Sequence, residues 1–150
     1  MPETHDRSGS GPTGSDRTAP DLPDGAVAAA GKMSEALEWV ERARGRLYDF
    51  HHLVGHAELV LGEALGQIAD AGRPDLSRRL RESVFGRNVL DGRWTFQLVE
   101  EYDDGYHRAF VEAERQAREE LTAGRRHVFE ARMKDDERRR AGREPWSAGP

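Results

Sequence analysis

From Met33 onward the apolar residues recur three and four apart: Met33, Ala36, Val40, Ala43, Leu47, Phe50 and Val54. This spacing marks one face of an amphipathic helix, with Ser34 as its expected N-cap. The stripe can be followed through Ala57, Leu61, Ala64 and Ile68. The segment "VGHAELVLGEALG", however, carries three glycines and two β-branched valines, each a modest helix penalty. A break near Gly55–Val60 is therefore expected, with a second helix continuing to about Ala71. Ala71-Gly72-Arg73-Pro74 reads as a stop and restart. A short helix over Asp75–Ser83 follows, with Leu76 and Leu80 facing inward. "GRNVLDGRW" is a loop with its turn at Asp91-Gly92. Thr95 to about Arg140 is the longest helical stretch, open to interruption at Gly124. Its stripe is Val99, Tyr102, Tyr106, Phe110, Ala113, Ala117 and Leu121, with Val128 and Met133 as an extension. No segment alternates with period two, so no strands are expected.

The pattern predicts an all-α fold: an antiparallel pair of long helices with two shorter ones, a helical bundle. Residues 1–31 are rich in Gly, Pro, Ser, Thr and Asp without apolar periodicity, and are expected to form a disordered tail. The helical domain is expected over 32–141, and 142–150 as a flexible C-terminal tail. Two alanine-rich stripes make a thin core, so a homodimer is the expected state. Trp39 and Trp94 are expected to pack, and Trp146 in the tail is a possible interface anchor.

Composition narrows the function classes. The 150-residue chain is 34% charged and 36% hydrophobic. Its mean hydropathy is −0.85, and it has no apolar run long enough for a membrane span. It begins without a secretory pattern and contains no cysteine, which excludes disulfides, thiolate nucleophiles and iron–sulfur clusters. A cytoplasmic location is the simplest expectation. The net charge of −5 argues against a general nucleic-acid binder, and no nucleic-acid or membrane partner is expected. The arginines of Arg138–Arg140 suit the C-terminal end of a solvated helix, where cations complement the dipole.

Candidate chemistry concentrates in "VEEYDDGYH", residues 99–107. At about 100° per residue from Val99, Asp103 falls at about 40° and His107 at about 80°, both at the edge of the buried stripe. Glu101 points to solvent, and Glu114 lies seven residues beyond His107. On the first helix, Arg44 and His51 fall within the expected seam, and Tyr48 at its edge. Arg44, Tyr48, His51, Asp103, His107 and Glu114 are therefore the candidate site. The favoured expectation is a polar core network in which each charge finds a partner. The alternative is an iron, manganese or zinc site between the long helices using His51, Asp103 and His107, with Glu114 as a further ligand. Neither Asp104-Gly-Tyr-His107 nor His127-Val-Phe-Glu130 matches the Glu-x-x-His pattern of di-iron bundles. No cofactor is expected under the first reading. No residue is assigned a catalytic role, because no nucleophile motif accompanies the histidines.

"GRNVLDGRWTFQLVEEYDDGYHRAFVEAE" and "GRRHVFEARMK" resemble small helical proteins of high-GC actinobacteria, a family without an established activity. The resemblance spans about 33–140 and implies boundaries and a cytoplasmic setting, but no catalytic residue. The expected function is a non-enzymatic helical structural or interaction module that self-associates.

Overall fold

A computed structural model of the chain describes residues 21–145. Its dominant element is α1 (Asp24–Asp70), one unbroken helix of 47 residues and roughly 70 Å. The other elements are α2 (Pro74–Val84), α3 (Thr95–Tyr102), a π-helical segment (Asp103–His107), α4 (Arg108–Thr122) and α5 (Val128–Arg140). Among the described residues there is no strand, and the all-α expectation holds. The partner helices lie along α1 in antiparallel sense. His51 meets Thr95, Arg44 meets Asp103, and Ser34 meets Glu114. Further along the rod, Asp24 meets Arg132 of α5, and at the opposite end Leu65 meets Ser77 of α2.

Three expectations about α1 are corrected. The helix begins at Asp24, so residues 24–31 are not part of a disordered tail, while residues 1–20 lie outside the described ones. The run of alanines after Pro23 has high helix propensity. Gly31 also lets Phe129 of α5 pack close: a Cβ there would sit 2.7 Å from the ring and 2.8 Å from the Phe129 Cβ. Ser34 is consequently inside the helix and caps nothing. The break at Gly55–Val60 does not occur either. Gly62 accepts the Phe85 ring at 3.4 Å from where its Cβ would stand. Leu65 is fully buried, and Ser77 Oγ donates to the Leu65 carbonyl at 2.7 Å. Packing from α2 and the residues after it outweighs a glycine cost of about 1 kcal/mol each.

The stop and restart before α2 form as expected. Gly72 adopts φ +81°, and the Arg73 N–H reaches the Ile68 carbonyl at 3.1 Å. The turn at Asp91-Gly92 is closed by reciprocal hydrogen bonds between Leu90 and Arg93. α3 starts where the Trp94 N–H donates to the Gln97 side chain at 3.1 Å.

The expected helix from Thr95 to Arg140 is divided twice. Residues 103–107 are π-helical, and the chain leaves helical geometry between Thr122 and Val128. Gly124 lies in that second break, flanked by Ala123 and His127 with left-handed φ of 51° and 57°. Thr122, 1% exposed, holds the corner: its hydroxyl lies 2.9 Å from the carbonyl oxygens of both Arg118 and Arg125.

The core is thin. Val27, Val40, Leu65 and Val99 are the buried apolar residues among those described. Ala43, Phe50 and Ala57, expected on the inner stripe, are exposed, because the buried face of α1 is centred on Val40, Arg44, His51 and Leu65. Trp39 and Trp94, expected to pack, are 60% and 55% exposed. Met133 is exposed as well, and Trp146 lies outside the described residues.

Candidate functional site

The segment Asp103–His107 decides which polar residues face α1. A π turn holds one more residue than an α turn, which sets the following helix back by about 100°. Gly105, a poor helix former at the centre of the segment, suits such a defect. On an uninterrupted helix, Tyr106 and Ala113 would face α1 and His107 would stand at the rim. Here Tyr106 is 57% exposed and Ala113 is also outside. His107, Glu114 and Arg118 take the inward positions, and their half-burial follows from that re-phasing.

The inward side chains pair with α1 in succession. The Arg44 guanidinium is bidentate on Asp103, at 2.6 Å from Nε and 2.8 Å from Nη2. This contact holds the Asp103 carboxyl below the usual carboxylate range and raises the Arg44 pKa further above neutrality. Arg44 also stands 5.0 Å over the Tyr48 ring, which is how Tyr48 joins the group. One turn towards the N-terminus of α1, His107 Nε2 donates to Glu41 at 2.6 Å. The Tyr102 hydroxyl donates to the Val40 carbonyl at 3.2 Å, and burial raises its pKa. Glu114 accepts from Ser34 at 3.1 Å and from Arg118 at 3.3 Å. Arg118 in turn donates to the Gly124 carbonyl at 3.0 Å, linking this ion pair to the corner before α5.

His51 stands apart. Its Nδ1 is 2.7 Å from the Thr95 hydroxyl, and its ring packs edge-on against Phe96. It is ten residues from Glu41 on the same helix, about 15 Å along the axis. His51 and His107 therefore do not converge, and the ligand set of His51, Asp103 and His107 is not assembled. Among the described residues, no three His, Asp or Glu side chains lie close enough together to share a metal ion.

Two partners escaped the sequence reading. Glu41 was not singled out, because the π segment that turns His107 towards it has no periodic signature. Arg118 was likewise outside the expected stripe; the i,i+4 spacing from Glu114 was its one visible sign. Glu101 is exposed as expected, and it accepts a hydrogen bond from Arg93. Buried polar side-chain atoms among the described residues all have partners. The seam is thus a ladder of satisfied pairs that fixes the register of α3–α4 on α1. Beside it, an open groove of about 650 Å³ is lined by Leu37, Glu38, Arg42, Val111, Arg115 and Arg126, among others. No family model, curated protein or solved structure matches the chain.

Proposed function

We propose that this chain is a non-enzymatic, self-associating helical module of the cytoplasm, whose long first helix is a scaffold for protein contact. The observation that carries the reading is an imbalance of apolar surface. Four apolar side chains are buried among the described residues, whereas fourteen large ones are 38–69% exposed. Where such side chains form a contiguous strip, as Trp39, Phe50, Leu53 and Val60 do along one face of α1, they suit a protein contact. The state of the polar seam adds support. His51, Asp103, His107 and Glu114 are each engaged by a neighbouring side chain, which suits a structural role.

The cytoplasmic assignment draws on the absence of cysteine and on there being no described helix long and apolar enough to cross a membrane. A net charge of −5 supports protein rather than nucleic-acid partners. Sedimentation at micromolar concentration tests the reading. A dimer is expected, with a melting temperature that rises with protein concentration. A stable monomer with a concentration-independent melting temperature overturns it.

A further inference from the structure

The outer face of α1 carries a second stripe. Trp39, Arg46, Leu53 and Val60 recur at intervals of seven residues. Ala43, Phe50, Ala57 and Ala64 do the same, each four residues after a member of the first set. The alternating spacing of four and three is the heptad pattern of a coiled-coil seam, sustained for more than three heptads. At about 100° per residue it lies some 120° round the helix from the Val40–Arg44–His51 face that α3 and α4 cover. Trp39 is 60% exposed, Leu53 68%, Val60 49% and Phe50 39%. The seam is therefore open along nearly its whole length.

We infer that this stripe is the contact between two copies of the chain, packed with their α1 helices antiparallel about a two-fold axis near Phe50 and Leu53. The inference rests on the self-association proposed above and names the surface that carries it. Sizes, charges and one polar residue select this arrangement.

Antiparallel packing sets large against small towards both ends of the contact, with Trp39 on the partner's Ala64 and Ala43 on the partner's Val60, and closes its centre with Phe50 on the partner's Leu53. Arg46, the polar residue within the seam, lies on the partner's Ala57, where its aliphatic stem can pack. Its charge is already met within its own helix by Asp49 at 3.0 Å. A parallel pair would instead bring Arg46 against the partner's Arg46 in the centre of the contact and stack tryptophan on tryptophan.

Flanking charges fix the register. The row beside the seam reads Arg42, Asp49, His56 and Glu63, again at intervals of seven. In the register above, Arg42 meets the partner's Glu63, and Asp49 meets the partner's His56. Sliding one helix by a heptad in one direction sets Asp49 against the partner's Asp49. Sliding it the other way sets Asp49 against the partner's Glu63. Both shifts put like charges together, so one register out of three is complementary. On the opposite flank, Leu47 and Val54 adjoin the seam and are half-buried by their own chain, which widens the apolar strip.

Charge reversal tests the register, and the natural absence of cysteine allows a clean cross-linking test beside it. Arg42→Glu and Glu63→Arg alter exposed positions, so the monomer fold should survive; circular dichroism verifies this. Each single change is expected to weaken the dimer about tenfold at low salt, because two ion pairs per dimer become repulsive. The double reversal should restore the Kd to within about threefold of the wild type. In parallel, full-length Ala43→Cys and Val60→Cys proteins are mixed and treated, under reducing-agent-free conditions, with a short bifunctional thiol-alkylating cross-linker. Mixed dimers are expected, with no cross-linking in either variant alone, since like positions stand about 25 Å apart along the axis.

A wild-type monomer would overturn both the seam and the proposed function. A dimer that ignores the single reversals, is not restored by the double one, or cross-links Ala43→Cys to itself overturns the seam alone. In that case the chain still self-associates, but through another surface.

Discussion

Asp103 is the residue at which seam and pH meet. Its folded pKa is held down chiefly by the hydrogen bonds from Arg44 and secondarily by the Coulombic field of the same group. A carboxyl with a depressed folded pKa contributes stability above its unfolded value, near 4, and loses it as pH falls through the folded value. The stability difference between wild type and Asp103→Asn should therefore be constant from pH 7 down to about 5 and shrink below about 4. Denaturant melts of both proteins across that range measure it. A difference that does not change between pH 7 and pH 3 would mean that the Arg44 contact does not hold the carboxylate in the folded protein. This residue was legible in the sequence, since Asp103 and Arg44 both fall on or beside apolar stripes. Glu41 was not, because whether it meets His107 depends on a backbone defect that side-chain periodicity does not encode.

Elements were legible where local chemistry dominates and obscure where packing does. The Ala71–Pro74 junction and the Asp91-Gly92 turn form where their residues predict, because conformational preference at Gly72, Pro74 and Gly92 acts within a few residues. The glycines of α1 misled in both directions. Gly55 suggested a break that packing suppresses, while Gly31 looked like the end of a tail and is a docking point for α5. Gly31→Ala makes the second case testable. In an exposed helix the change would stabilise by about 1 kcal/mol. Here the new Cβ would stand 2.8 Å from the Phe129 Cβ, an atom that no rotamer change can move away. α5 must shift off α1, so destabilisation is expected in place of the gain. Hydrogen exchange should show lost protection in residues 128–140 and unchanged protection in α2. A stabilised protein with α5 protection intact would show that the close approach is unimportant.

At the scale of the molecule, α1 is a rod against which the other helices dock in series, and this governs how stability is distributed. α2 touches the C-terminal third of α1, α3 and the π-helical segment its middle, α4 the stretch from there to Ser34, and α5 its N-terminal end. No single core joins them: Leu65 and Val27, at opposite ends, are separated by 38 residues of one helix, about 57 Å. A chain built this way should open segment by segment, as repeat proteins do, since each contact is felt mainly by its neighbours. Leu65→Ala discriminates between this behaviour and a single cooperative unit. The side chain is fully buried beneath α2, and its truncation should cost about 2–5 kcal/mol at that site. Segmental opening predicts that amides of residues 74–84 lose protection by this amount while those of α4 and α5 keep theirs. If protection falls equally along the chain, the rod unfolds as one unit. Coupling between its ends must then come from the stiffness of α1 itself or from a second copy laid along its outer face. Repeating the exchange at protein concentrations above and below the dimer Kd separates these two sources, because only the second depends on mass action.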